Sequence, residues 1–180
     1  MNSRLAIGYA LVSIFLVTDC VVAADAIAAG KVKAVEIEKR EFVLTESSGK
    51  DRAIKLSDDV IIRRGGSDAQ GELKADDVVC VYYEPSTLVW TANYILVQEG
   101  ESKNWTLSHG DLQSYSHEEK KITYDDDQGR AWTYSTIDAK LFVNKVEAKF
   151  ESLKAGEHLL VLIQNTGDKA TLKSVFVTHK

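Results

Sequence analysis

His109, Asp111, His117 and His158 are residue types that bind transition metals, and the first three fall within nine positions. Imidazole and carboxylate donors suit zinc or copper. The spacing argues against a ready-made site. On one extended strand, at about 3.3 Å per residue, His109 and His117 stand about 26 Å apart. A metal-handling module built on these four residues is therefore the alternative reading, and packed, hydrogen-bonded histidines are the plainer one.

Aromatic side chains form the second group. Trp90, Tyr82 and Tyr94 lie in one half of the chain, and Trp132 and Tyr134 in the other. Rings on an open sheet face can stack on sugars, bases or peptide side chains. They are also ordinary strand residues. Tyr82 and Tyr83 are adjacent and point to opposite faces of a strand, so one of them belongs to a core.

Two further segments carry charge. Asp125-Asp126-Asp127-Gln128-Gly129 offers oxygen ligands for Ca²⁺, but without the spacing of a calcium loop. A hairpin turn explains it as well. Arg63-Arg64-Gly65-Gly66-Ser67 offers guanidinium and backbone N–H groups to an anion, or is a solvated loop. No nucleophile elbow, phosphate loop, paired-cysteine motif or two-histidine helix motif occurs in the sequence. The expectation is a protein that is not an enzyme and carries no cofactor. The net charge of −5 disfavours nucleic acid and anionic lipid as partners.

These residues sit on a repeat. Gly30 to Val97 aligns with Gly110 to Val177 at a constant offset of 80 (110 − 30 and 177 − 97), without a gap. Ten identical pairs include Gly30/Gly110, Gly49/Gly129, Leu73/Leu153 and Val97/Val177. Between them apolar faces apolar, as in Phe42/Ile122, Ile61/Leu141 and Val79/Leu159. His117 and His158 align with Ile37 and Val78. The shared polar pairs, Glu38/Glu118, Asp58/Asp138, Lys74/Lys154 and Thr91/Thr171, look structural or solvated. Function is then expected in one copy or at the seam between them.

Each copy reads as five short strands, in the first copy Lys31 to Glu38, Glu41 to Glu46, Arg52 to Leu56, Val78 to Tyr83 and Trp90 to Val97. Val60-Ile61-Ile62 is a candidate extra strand. Strands one and five change hydrophobic phase partway, as a β-bulge would make them. The stretch Ser67 to Asp77 is expected to form a helical turn that places Leu73, and Leu153 in the second copy, as a plug.

Gly30 and Val32, the run Leu73 to Asp77, then Val79, Val81, Ala92 and Ile95 resemble the tandem small OB-like β-barrel domains of unknown function found in exported bacterial proteins. The second copy departs from that pattern at Leu112 and Leu172. The resemblance implies a scaffold and no reaction. The fold class expected is all-β, with two tandem five- to six-stranded OB/SH3-like barrels, each with a short helical turn before strand four.

Arg4, the uncharged apolar run Leu5 to Val17, and small residues up to Ala23 read as a signal peptide. That run of about 13 residues is too short to span a bilayer, which takes about 20, so no stable membrane span is expected after cleavage. The division is residues 1–23 as signal, 28–98 and 109–180 as repeats, and 99–108 as linker. If Cys20 leaves with the signal, Cys80 is the only thiol, and its apolar neighbours make it structural. The sequence reading is a periplasmic or secreted binding module for a glycan, a peptide or an envelope protein.

Overall fold

The structure is a computed structural model that describes residues 26–66, 70–86 and 89–177. The signal segment and Cys20 lie outside the described residues. No helix among the described residues is long and apolar enough to cross a membrane.

The first unit has strands β1 (Ala26–Glu36), β2 (Glu41–Glu46), β3 (Asp51–Arg64), β4 (Val78–Glu84) and β5 (Trp90–Val97). They form a closed barrel in the order β1-β2-β3-β5-β4. Alternation places Val32, Phe42, Leu44, Ile54, Val79, Val81 and Ile95 inside. The candidate extra strand is the far end of β3, which pairs first with β2 and then in parallel with β5.

The second unit has β6 (Trp105–Ser116), β7 (Lys121–Asp126), β8 (Ala131–Ser135), β9 (Lys140–Val143), β10 (Val146–Ala148), β11 (His158–Thr166) and β12 (Lys169–Val177). Their order is β10-β9-β12-β11-β6-β7-β8, a seven-stranded sheet. Trp105 to Ser108, assigned to the linker by the sequence, belong to β6.

The registers repeat at the offset of 80. Gly30 pairs with Glu46 and Val32 with Leu44 in the first unit, and Gly110 with Asp126 and Leu112 with Tyr124 in the second. The β1 bulge lies between Val32 and Ala34 and recurs between Leu112 and Ser114. Both tight hairpins turn on a left-handed glycine, Gly49 at φ 80° and Gly129 at φ 72°.

The alignment without a gap fails in one place. Ile62 pairs with Ile95, but Leu141 pairs with Val175. The offset is thus 80 on one strand (175 − 95) and 79 on the other (141 − 62). In the first unit β3 runs unbroken through Ser57 to Val60. In the second a turn closed by Ala139 N–H donating to Thr136 O replaces that stretch. A one-residue slip reverses the faces of a strand. Ile61 therefore packs at the seam, whereas Leu141 is core.

Leu73 and Leu153 each pack against their unit's core. A 3-10 turn, Phe150–Ser152, precedes Leu153. In the first unit residues 71–77 form no helix, and the stretch is held by Lys74 N–H donating to Asp77 Oδ2 at 2.7 Å.

A third apolar cluster lies between the units. Cys80, Tyr82, Tyr94 and Leu96 on the outer face of β4 and β5 meet Trp105, Leu107, Leu160 and Leu162 on the outer face of β6 and β11. Arg63, itself buried, donates from Nη1 to Ser174 Oγ across this seam at 3.1 Å. Lys145 reaches Asp59 at 2.7 Å. Burial pushes the Cys80 thiol pKa up, which suits a structural role.

Candidate functional site

The five aromatic candidates divide by exposure. Tyr82 and Tyr94 are corrected to seam residues, buried against the second unit: Tyr82 lies 5.7 Å from the His109 ring and Tyr94 4.9 Å from Phe176. Burial pushes the Tyr94 phenol up to about 12. Both point away from the barrel core because Val81, Tyr83 and Ile95 occupy the inward positions.

Trp90 is corrected for a different reason. Its ring stacks on Tyr83 at 4.0 Å and 11°. The Arg52 guanidinium carbon lies 3.4 Å from the same ring centre. Two groups that close cannot share one face, so both faces of the indole are covered. Glu46 holds Arg52 through Nε at 2.7 Å.

Trp132 is 40% exposed, and Tyr134 is half-buried beside it. Both lie on β8, the last strand of the sheet. Their rings are 6.5 Å apart and nearly parallel at 15°. Trp132 sits opposite the buried Tyr124, so it points toward the inner side of the curled sheet. Its exposure follows from the missing closure on that side.

The acidic turn serves this tryptophan. Asp126 Oδ1 accepts from the backbone N–H groups of Gln128 (3.0 Å) and Arg130 (2.9 Å). Its Oδ2 accepts from Arg130 Nε (2.8 Å) and Trp132 Nε1 (2.9 Å). The segment is a hairpin turn whose carboxylate fixes the indole. The sequence carried a signal for this that went unused: Asp126 aligns with Glu46 and Trp132 with Arg52, so each copy ties a carboxylate to the residue six positions on.

The Trp132 indole, with Arg130 and the turn amides behind it, holds the Asp126 pKa well below the usual carboxylate range. A carboxylate whose folded pKa is depressed stabilises the fold above its unfolded value, near 4, and loses that contribution as pH falls. Asp126→Asn is therefore expected to lower the urea midpoint at pH 7. The gap from wild type should narrow as pH falls from about 5 to 3. A gap that stays constant across that range contradicts the assignment.

Three of the four metal candidates come together on the outer face. His158 Nδ1 lies 2.8 Å from Asp111 Oδ1, its cross-strand partner. The buried His109 ring is 5.5 Å from His158, and its Nε2 is 4.0 Å from Asp127. His117 is corrected to a separate place: its Nδ1 pairs with Glu151 at 3.1 Å. Among the described residues no group of three or more His, Cys, Asp or Glu side chains is arranged to hold a metal ion. Asp111 and His158 are occupied with each other, and His109 packs against Tyr82.

The basic loop is not a solvated anion site in its described part. Arg63 is buried at the seam, and Arg64 pairs with Asp77 and Glu99.

The first unit defines a small closed β-barrel, and the second follows the same strand path in an open sheet. No family model matches the chain, and no curated protein matches it. A solved structure described as the crystal structure of Ag(I)CusF aligns with 14% identity and a TM-score of 0.34. The match covers 41% of this chain and 97% of that one, and at that score it carries no argument about function.

Proposed function

We propose that this chain is a non-enzymatic binding module, exported to the periplasm or secreted, whose ligand face is Trp132 with Tyr134. The observation that supports it is an indole left 40% exposed while its Nε1 is fixed by Asp126. A ring already held in place loses little freedom when a ligand stacks on it. Export rests on Arg4, the apolar run to Val17 and the small residues to Ala23. The net charge of −5 favours glycans and peptides over nucleic acid.

The test exposes the mature chain, from Ala24 onward, to glycan and peptide arrays beside Trp132→Ala. Retention of a ligand class by the wild type, reduced at least tenfold in Trp132→Ala, is the expected result. No retained ligand, or equal retention by the variant, overturns the reading. N-terminal sequencing of the protein from the cell envelope checks export, and an intact Met1 contradicts it.

A further inference from the structure

The two units answer the same structural question differently. In the first, three parallel pairs close the barrel: Ile54 with Trp90, Lys55 with Thr91 and Leu56 with Ala92. The Trp90 indole fills the closure, held between Tyr83 and Arg52. At the offset of 80 these three residues become Ile163, Ala170 and Trp132. The equivalence is carried by the registers, because Leu44 pairs with Arg52 as Tyr124 pairs with Trp132, and Tyr83 with Ala92 as Ile163 with Leu172. The second unit has no pairing between β8 and β12. Ala170 and Thr171 are exposed, as is Trp132. The first unit carries an indole, Trp90, on one side of this slot, and the second carries one, Trp132, on the opposite side.

We infer that this opening binds the aromatic side chain of an extended peptide, a tryptophan or tyrosine ring that stacks on Trp132 where Trp90 sits in the first unit. The inference rests on Trp132 being the ligand face, and names what that face takes. The occupant is argued from the chain itself, since the sister barrel shows an indole filling the equivalent position. Local charge agrees. The Arg130 guanidinium lies 5.6 Å from the Trp132 ring centre, and an incoming π face is what such a cation attracts. β8 is a sheet edge, whose free main-chain groups can receive an extended segment.

The test titrates ¹⁵N-labelled full-length mature protein with N-acetyl-tryptophanamide, with a tryptophan-containing tripeptide, and with methyl β-glucoside. In the wild type the two tryptophan ligands should shift the Trp132 indole N–H and the Ala170 and Thr171 amides. Ala170→Trp rebuilds the ring of the first unit. It should remain folded, with an unchanged or higher melting temperature, and weaken binding at least tenfold. Unmoved signals with both tryptophan ligands, or binding to Ala170→Trp as tight as to wild type, overturn the inference. Glucoside binding at Trp132 without tryptophan binding overturns it too, but leaves the ligand-face reading standing. If none of the three ligands binds and the arrays also find no ligand, both fall.

Discussion

Gly110→Ala will unfold the second unit or bring it close to unfolding. A Cβ at Gly110 would lie 1.9 Å from the Asp125 carbonyl oxygen, 2.7 Å from its carbon and 2.9 Å from the Asp126 Cα. All three are backbone atoms of the paired strand, so no rotamer change relieves the clash. Strand β7 cannot withdraw without pulling Ile122 and Tyr124 out of the core. It would also drag Asp126 off Trp132. The expected loss is about 3 kcal/mol or more, at or beyond the upper end of what overpacking a core costs. Small domains hold only about 5–15 kcal/mol in total. Gly30→Ala meets the same obstacle at 2.3 Å from Thr45 O and should cost a similar but smaller amount. Urea unfolding followed by tryptophan fluorescence measures both. A loss under about 1 kcal/mol for Gly110→Ala would show that β6 and β7 can separate at Gly110 without leaving their cores.

These glycines were legible in the sequence because backbone geometry repeats with the chain. So were the bulges, since a bulge changes which side chains face the core, and the phase change at Val35 and Tyr115 records it. β2 and β5 were legible to the residue. The break between β8 and β9 was not, because Ser135 to Ala139 is polar enough to pass for either a strand or a turn. The seam was hidden for a related reason. Tyr82, Tyr94 and Leu160 alternate out of their own cores, and an outward aromatic looks the same whether it meets a ligand or another barrel. Trp90 was hidden by Arg52, 38 positions away, whose cation covers a ring that the sequence alone leaves bare. Trp132 and Tyr134 were legible as candidates. Their exposure was not, because it follows from three absent strand pairs and one alanine.

That seam makes the second large effect. Leu162 is fully buried, yet it lies on the opposite face of β11 from the core residues Val161 and Ile163. It belongs to the seam cluster with Leu96, Tyr94 and Cys80 from the first unit and Trp105 from its own. Leu162→Ala removes apolar volume from the middle of an interface rather than from either core. A buried leucine truncated to alanine costs about 2–5 kcal/mol. The loss here should fall on the coupling between units. Other ties include the buried bond from Arg63 to Ser174, the exposed Lys145–Asp59 pair, and the turn Gly100–Asn104, where Ser102 Oγ donates to Val97 O at 2.7 Å. Calorimetry should show the wild type melting in one transition and Leu162→Ala in two, with the first unit keeping its midpoint more closely. Leu159→Ala is the contrast, because Leu159 belongs to the core of the second unit. It should lower that unit's midpoint without adding a step between intact units. If Leu162→Ala melts in a single transition at the wild-type midpoint, Leu162 contributes nothing to the coupling between the units.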